Sequence, residues 1–196
     1  YVECPADPAQ LVAQAVRFRI NNHPAAILPG ACVQTDDGDI DVMRGEELQL
    51  LGIVDTIDCA NALVCIPGTH CKWARLVDGA LIDFKTFITG ELFQLLRTQS
   101  LVGAFADGDA FDEAAFRRGV HRGADRTLAN AVFAARANAL AGTLPSVEVS
   151  AYLSGVLIGS EIKAQAFSPG QDVVLLATGV LAERYEIALG ILGASA

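Results

Sequence analysis

The spacing of hydrophobic positions changes several times along the chain, and each change of period predicts a change of element. Ala62 to Ile66 is a short apolar run that stops at Pro67-Gly68, as a buried strand does before a turn. Lys72 to Val77 and Ala80 to Phe87 flank Asp78-Gly79, the preferred pair for a two-residue type I′ turn, and so predict a hairpin. Apolar residues then recur at helical spacing. Leu92, Phe93, Leu95 and Leu96 share one face of a helix reaching Ser100, with Thr89 placed to cap it and Glu91 in its first turn. Upstream, Asp7 and Pro8 have the chemistry of a helix start, and Leu11, Val12, Ala15, Val16 and Arg19 predict that this helix continues as an amphipathic one. Ala25 to Leu28 reads as a short strand closed by Pro29-Gly30. Asp36-Asp37-Gly38 marks a turn before a strand from Ile40 to Met43, and Arg44 to Leu51 reads as a short helix.

The second half is mostly helical in period. Asp109 is expected to cap a helix that carries Phe111, Ala115 and Phe116 to about His121. Residues 126–141 predict a longer helix whose Leu128, Val132, Phe133 and Leu140 serve core packing. Another runs from Val149 to Ala166, and its Ser154-Gly155 and Gly159-Ser160 pairs admit a close backbone neighbour, either a packed helix or a nucleotide. A buried strand from Asp172 to Ala177 ends at Thr178-Gly179, before a helix from Leu181 to Leu192. Hairpin strands, then helices, then a strand-helix unit give a mixed α/β class.

Composition narrows the function. With 196 residues, 52% of them hydrophobic, and a mean hydropathy of +0.38, the chain can bury one large core or two small ones and is too apolar to be disordered. No apolar run reaches the roughly 18 residues that span a bilayer. There is no basic start followed by a hydrophobic core either, so a cytoplasmic protein is expected. The net charge of −9 argues against a nucleic-acid partner, which requires clustered Lys and Arg. Five cysteines with no CxxC pair fit neither a disulfide framework nor a zinc site, and no metal ligands are assigned. Cys65 reads as a buried strand residue and Cys71 as a small neutral filler.

Three stretches carry candidate chemistry. At the Pro67-Gly68 corner a glycine lets backbone N–H groups approach an anion. Thr69 adds a hydroxyl and His70 and Lys72 add charge-assisted donors, so the corner suits a phosphate, although its spacing is not that of the P-loop. Around Ile40 to Leu51, Asp41, Arg44, Glu46 and Glu47 place three carboxylates and a guanidinium close together. On spacing alone a solvated helix N-terminus is the favoured reading, with a catalytic cluster the alternative. Thr178-Gly179, between a strand and a helix, has the form of a nucleotide cradle, a weak signal by itself.

PGTHCKW and FKTFITGELFQLL, with the earlier DVMRGEELQLLG and the later YLSGVLIGSEI, resemble the 2-dehydro-3-deoxygalactonokinases, sugar-acid kinases of the actin-like ATPase superfamily. Cys71 stands where the resemblance leads one to expect Ser, and Leu48 where it leads one to expect Thr. The resemblance implies a ribonuclease-H-like domain with helical insertions. Residues 1–60 would be the remainder of an N-terminal lobe and interlobe segment, and residues 61–196 the C-terminal lobe. It also implies that a DxGTT-type phosphate lobe would precede the sequence and that a strand and helix would follow it.

The implied activity is transfer of the γ-phosphoryl group of ATP, with magnesium, to the C6 hydroxyl of 2-dehydro-3-deoxygalactonate. The implied partners are ATP and a small sugar acid, and a homodimer is compatible with the reading. Gly68, Thr69, His70 and Lys72, with Gly90 and Glu91 at the head of the following helix and Gly179 later, are the implied nucleotide and phosphate contacts. RGEELQLLG followed by LVCIPG also looks like the GxEEA segment of exopolyphosphatases, which points to Glu47 as the catalytic acid, with Asp41 the alternative and Arg44 a clamp for the substrate carboxylate. Two rival readings stand beside this one: a phosphohydrolase on the same scaffold, and a nucleotide-binding module without catalysis.

Overall fold

The computed structural model describes the chain apart from Asp36, Asp55, residues 57–60, Asp109, Ala166, Phe167, Pro169 and residues 195–196. The turn residue Asp36, the cap expected at Asp109 and Cys59 therefore lie outside the described residues. The chain divides into two compact units, Tyr1–Ile66 with Lys72–Thr86, and Pro67–Cys71 with Phe87–Ala196.

The first unit holds the strands. β1 (Val2–Glu3) is followed by α1 (Pro8–Ala13), which starts as its sequence predicts. Asp7 caps it by accepting from the Gln10 N–H, the Gln10 side chain returns the bond, and Pro8 opens the first turn. The helix does not continue through Arg19. It ends at Gln14, and Val16–Ile20 becomes strand β2, paired antiparallel with β3 (His23–Ile27). Asn21 and Asn22 make the turn between them at φ +47° and +68°, the left-handed pair a type I′ turn requires and asparagine tolerates. Val16, Phe18 and Ile20 follow a strand period, in competition with the helical spacing of Leu11, Val12, Ala15, Val16 and Arg19, and the turn residues decide the outcome.

β4 (Ala31–Gln34), absent from the expectations, pairs parallel with β1 and antiparallel with β5 (Ile40–Met43). α2 spans Glu46–Ile53 rather than starting at Arg44, because Gly45 takes φ +110° and holds the N-cap position. β6 (Ala62–Ile66), β7 (Cys71–Val77) and β8 (Ala80–Phe87) then form a meander in the order β8-β7-β6. Its hairpin turn has Asp78 at φ +50° and Gly79 at +78°, as Asp-Gly predicts. Trp73, Val64, Leu76 and Met43 are among the core residues of this unit.

The second unit is built around one helix. α3 (Thr89–Gln99), α4 (Glu113–Asp125), α5 (Leu128–Leu140), α6 (Val149–Ala164), β9 (Val173–Leu175) and α7 (Gly179–Leu192) follow in order. Thr89 is the first residue of α3 rather than its cap, which is Ile88, without a side-chain bond. Asp112 caps α4 by accepting from the Ala115 N–H. α6 is buried along almost its whole length, with α3, α4, α5 and α7 packed on it. The close neighbour admitted by its glycines is a helix. A Cβ on Gly155 would lie 2.1 Å from the Phe116 carbonyl oxygen of α4, and one on Gly119 of α4 would lie 2.1 Å from that of Tyr152. Two small-residue ridges thus let α4 and α6 meet backbone to backbone. α5 meets the core-packing expectation at Val132 and contradicts it at Leu128, Phe133 and Leu140. Its small residues Ala131, Val132, Ala134 and Ala135 are buried, whereas Leu128, Phe133 and Leu140 are exposed. No helix among the described residues is long and apolar enough to cross a membrane.

Candidate functional site

In the second unit the corner after Pro67 is a turn seated on the head of α3. The Glu91 N–H donates to the Thr69 carbonyl at 3.0 Å, and Gly90 packs against the turn so closely that a Cβ would lie 2.3 Å from the Gly68 oxygen and 2.9 Å from Thr69 Cα. Glycine at position 90 is therefore dictated by the approach of two backbones. His70 Nε2 and Glu91 Oε2 are 2.5 Å apart, both side chains about half exposed, so the acid in the first turn of α3 orients the imidazole. Gly68, Thr69, His70, Gly90 and Glu91 are brought together here, and Thr69 and His70 are exposed. A partly open recess of about 70 Å³ adjoins the turn, lined in part by Gly68, Thr89, Gly90, Phe93, Arg184 and Tyr185. Gly179 opens α7 at φ +62°, and among the described residues no heavy atom beyond its chain neighbours and its own helix backbone lies within 4 Å of an added Cβ.

Sequence reasoning missed the groups behind the turn. Cys71 Sγ lies 3.4 Å from the Gly68 carbonyl oxygen and 3.5 Å from its nitrogen, and 3.1 Å from the Tyr185 hydroxyl. Tyr185 in turn donates to both Glu161 oxygens, at 3.0 and 2.9 Å. Burial, and then the Glu161 charge, push the Cys71 thiol up to about 11, so it stays protonated at neutral pH and is a filler rather than a nucleophile. Nothing local in the sequence points to these partners, which lie 114 and 24 positions apart.

The first unit holds the acids. Asp41 accepts from the Val42 N–H with one oxygen and from the Thr86 N–H with the other, both at 2.7 Å. Glu47 is only 2% exposed, and its Oε2 accepts from the Gly45 N–H at 2.6 Å, serving the uncapped start of α2. Arg44 is exposed, and its N–H donates to Glu46. Lys72 does not stand exposed as Thr69 and His70 do. It is 4% exposed, and its ammonium lies 3.5 Å from Glu46 Oε1, so its charge is directed at Glu46, a residue the spacing argument left without a role. Among the described residues no cluster of three or more His, Cys, Asp or Glu could hold a metal.

A family model described as 2-keto-3-deoxy-galactonokinase matches residues 1–196. The chain is 38% identical over 196 residues to a Rhizobium meliloti protein bearing a provisional 2-dehydro-3-deoxygalactonokinase designation, covering 96% of this chain and 64% of the relative. It is 39% identical over 170 residues to the 2-dehydro-3-deoxygalactonokinase of Escherichia coli, covering 85% of this chain and 57% of that protein. The chain thus spans about three-fifths of the length of these curated relatives. A crystal structure of a Sinorhizobium meliloti protein under the same provisional designation superposes on all of the chain and 67% of its own, at a TM-score of 0.90 and 36% identity.

Proposed function

The chain belongs to the 2-keto-3-deoxy-galactonokinase family, and from that premise we propose that the protein transfers the γ-phosphoryl group of ATP to the C6 hydroxyl of 2-dehydro-3-deoxygalactonate. The observation that carries the reading is the Gly68–His70 turn seated on the head of α3, in a chain matched by that family from end to end. The fold we propose for it is ribonuclease-H-like, of the actin-like ATPase type, and the location the cytoplasm.

Phosphoryl transfer asks the protein mainly for positioning and charge stabilisation. The turn offers backbone N–H groups, the Thr69 hydroxyl and His70, oriented by Glu91, to the phosphates. Between the acids, exposure favours Asp41 as the base that takes the hydroxyl proton. It is partly exposed, whereas Glu47 is buried and tied to Gly45. A carboxylate oxygen that accepts one backbone N–H keeps a second lone pair, so the bonds to Val42 and Thr86 orient Asp41 without closing it to a hydroxyl. Arg44, exposed and planar, suits bidentate capture of the substrate carboxylate. The described residues offer no ready-made metal cage; a magnesium ion travelling with ATP is held largely by phosphate oxygens and water.

ADP release by the full-length protein carrying this sequence, measured with and without the sugar acid, tests the reading. Release that depends on the sugar acid supports it. Equal release in both conditions means a phosphohydrolase.

A further inference from the structure

Cys71, Tyr185 and Glu161 are 1%, 0% and 3% exposed, and they form one continuous polar chain in the interior of the second unit. Its outer end is the backbone of Gly68. The sulfur approaches both the N–H and the carbonyl of that residue, closing the turn from inside, while Gly90 packs on the same carbonyl from the α3 side. The Gly68 peptide is thereby held between two fixed surfaces. Further in, the Tyr185 hydroxyl shares its single proton between the two Glu161 oxygens.

Packing alone does not explain these groups. Burying a carboxylate and a phenol hydroxyl costs several kcal/mol before partners repay it, and a Phe with a Leu would fill the same space without that cost. What a hydrophobic pair would not supply is direction. Each bond in the chain fixes the orientation of the next group, as buried networks do, and the last group fixed is the turn that the proposed activity uses.

We propose that Tyr185 and Glu161 are positioning residues for phosphate binding, acting through Cys71 to set the placement of the Gly68–His70 turn. The assignment rests on the kinase reading for its functional consequence, while its structural half stands on the geometry alone. Because Tyr185 gives its proton to Glu161, the one S–H proton goes to the Tyr185 hydroxyl and the sulfur accepts from the Gly68 N–H; burial keeps that proton on the thiol throughout the neutral range. The thiol acts as a link, and no bond to it is made or broken.

The test is Tyr185→Phe, which keeps the ring and removes the hydroxyl, beside Cys71→Ala and Cys71→Ser in the full-length protein. Two readouts are needed: amide hydrogen exchange over residues 68–71, and the separate KM for ATP and kcat. A hydrogen bond of ordinary net strength gives an expected change of about tenfold. Tyr185→Phe and Cys71→Ala are each expected to speed exchange in the turn and raise KM for ATP by that factor, with a smaller change in kcat. Cys71→Ser, which restores a donor and acceptor, should fall between Cys71→Ala and the wild type. A folded Tyr185→Phe protein with wild-type exchange and wild-type KM overturns the assignment, and if that variant fails to fold, Cys71→Ala decides by the same criteria. A wild-type protein that transfers no phosphoryl group to the sugar acid refutes the kinase reading instead. The exchange arm then still decides whether the chain sets the turn.

Discussion

Replacing Gly90 with Ala tests the seat of the turn with one methyl group. The new Cβ would lie 2.3 Å from the Gly68 oxygen, 2.9 Å from Thr69 Cα and 3.1 Å from the Gly68 carbonyl carbon. Carbon–oxygen contacts settle near 3.3 Å, so turn and helix head must separate by about 1 Å. All three atoms are backbone, and no side chain can rotate away. Overpacking of this kind costs about 1–3 kcal/mol, and the roughly 1 kcal/mol that Ala returns over Gly in a helix interior is only partly available in the first turn. A net loss of about 1–2 kcal/mol lowers Tm by roughly 3–6 °C for a chain of this size. The same shift stretches the 3.0 Å bond from Glu91 to Thr69 and moves the phosphate donors by about 1 Å, a misplacement that costs about 100-fold in rate. The assays are calorimetry and kcat/KM for ATP. Gly190→Ala is the control: it lies in α7 with nothing within 4 Å of the added atom, and it should raise stability by up to about 1 kcal/mol. If Gly90→Ala has wild-type Tm and kcat/KM while Gly190→Ala behaves as expected, the turn is not seated on α3.

Lys72→Ala removes the buried end of the ion pair and leaves a partly exposed Glu46 that still accepts from the Arg44 N–H, and is expected to cost about 1–2 kcal/mol by urea unfolding; a loss below about 0.5 kcal/mol would mean that the pair is immaterial to the fold. The folded protein raises Cys71 from 9.0 to about 11 and Cys4 from 9.0 to about 12, so both thiols hold their protons more tightly folded than unfolded. The stability they confer is complete below about pH 9 and lost as pH climbs through 11 and 12. Tm should therefore fall more steeply between pH 9 and 11 in the wild type than in Cys71→Ser, and parallel curves would contradict this. Asp41→Asn should lower kcat by about 10²-fold or more with little change in ATP affinity, while Glu47→Gln should act mainly on Tm; near-native turnover in Asp41→Asn would return the role of base to Glu47.

The elements legible in the sequence were those bounded by residues with backbone preferences of their own. Asp78-Gly79 fixed its hairpin, Pro67-Gly68 ended its strand, and Asp7 with Pro8 started its helix at the right residue. The β2–β3 hairpin was hidden because Leu11, Val12, Ala15, Val16 and Arg19 also satisfy a helical period, and the αL preference of Asn21-Asn22 was the overlooked signal. α5 misled for a different reason: an alanine-rich helix packs through its small face, so its largest side chains point outward. Around Gly68 and His70 the turn itself was legible, because chain neighbours make it. The fixed approach of Gly90, the pairing of Lys72 with Glu46 and the Cys71–Tyr185–Glu161 chain depend on residues that only folding brings together.

Phosphorus NMR of the full-length protein with ATP and 2-dehydro-3-deoxygalactonate tests the central claim most directly. The account predicts that the γ-phosphate signal of ATP is replaced by a phosphate monoester on the sugar acid, in step with ADP. Inorganic phosphate in place of the ester, or an unchanged ATP spectrum, would contradict it.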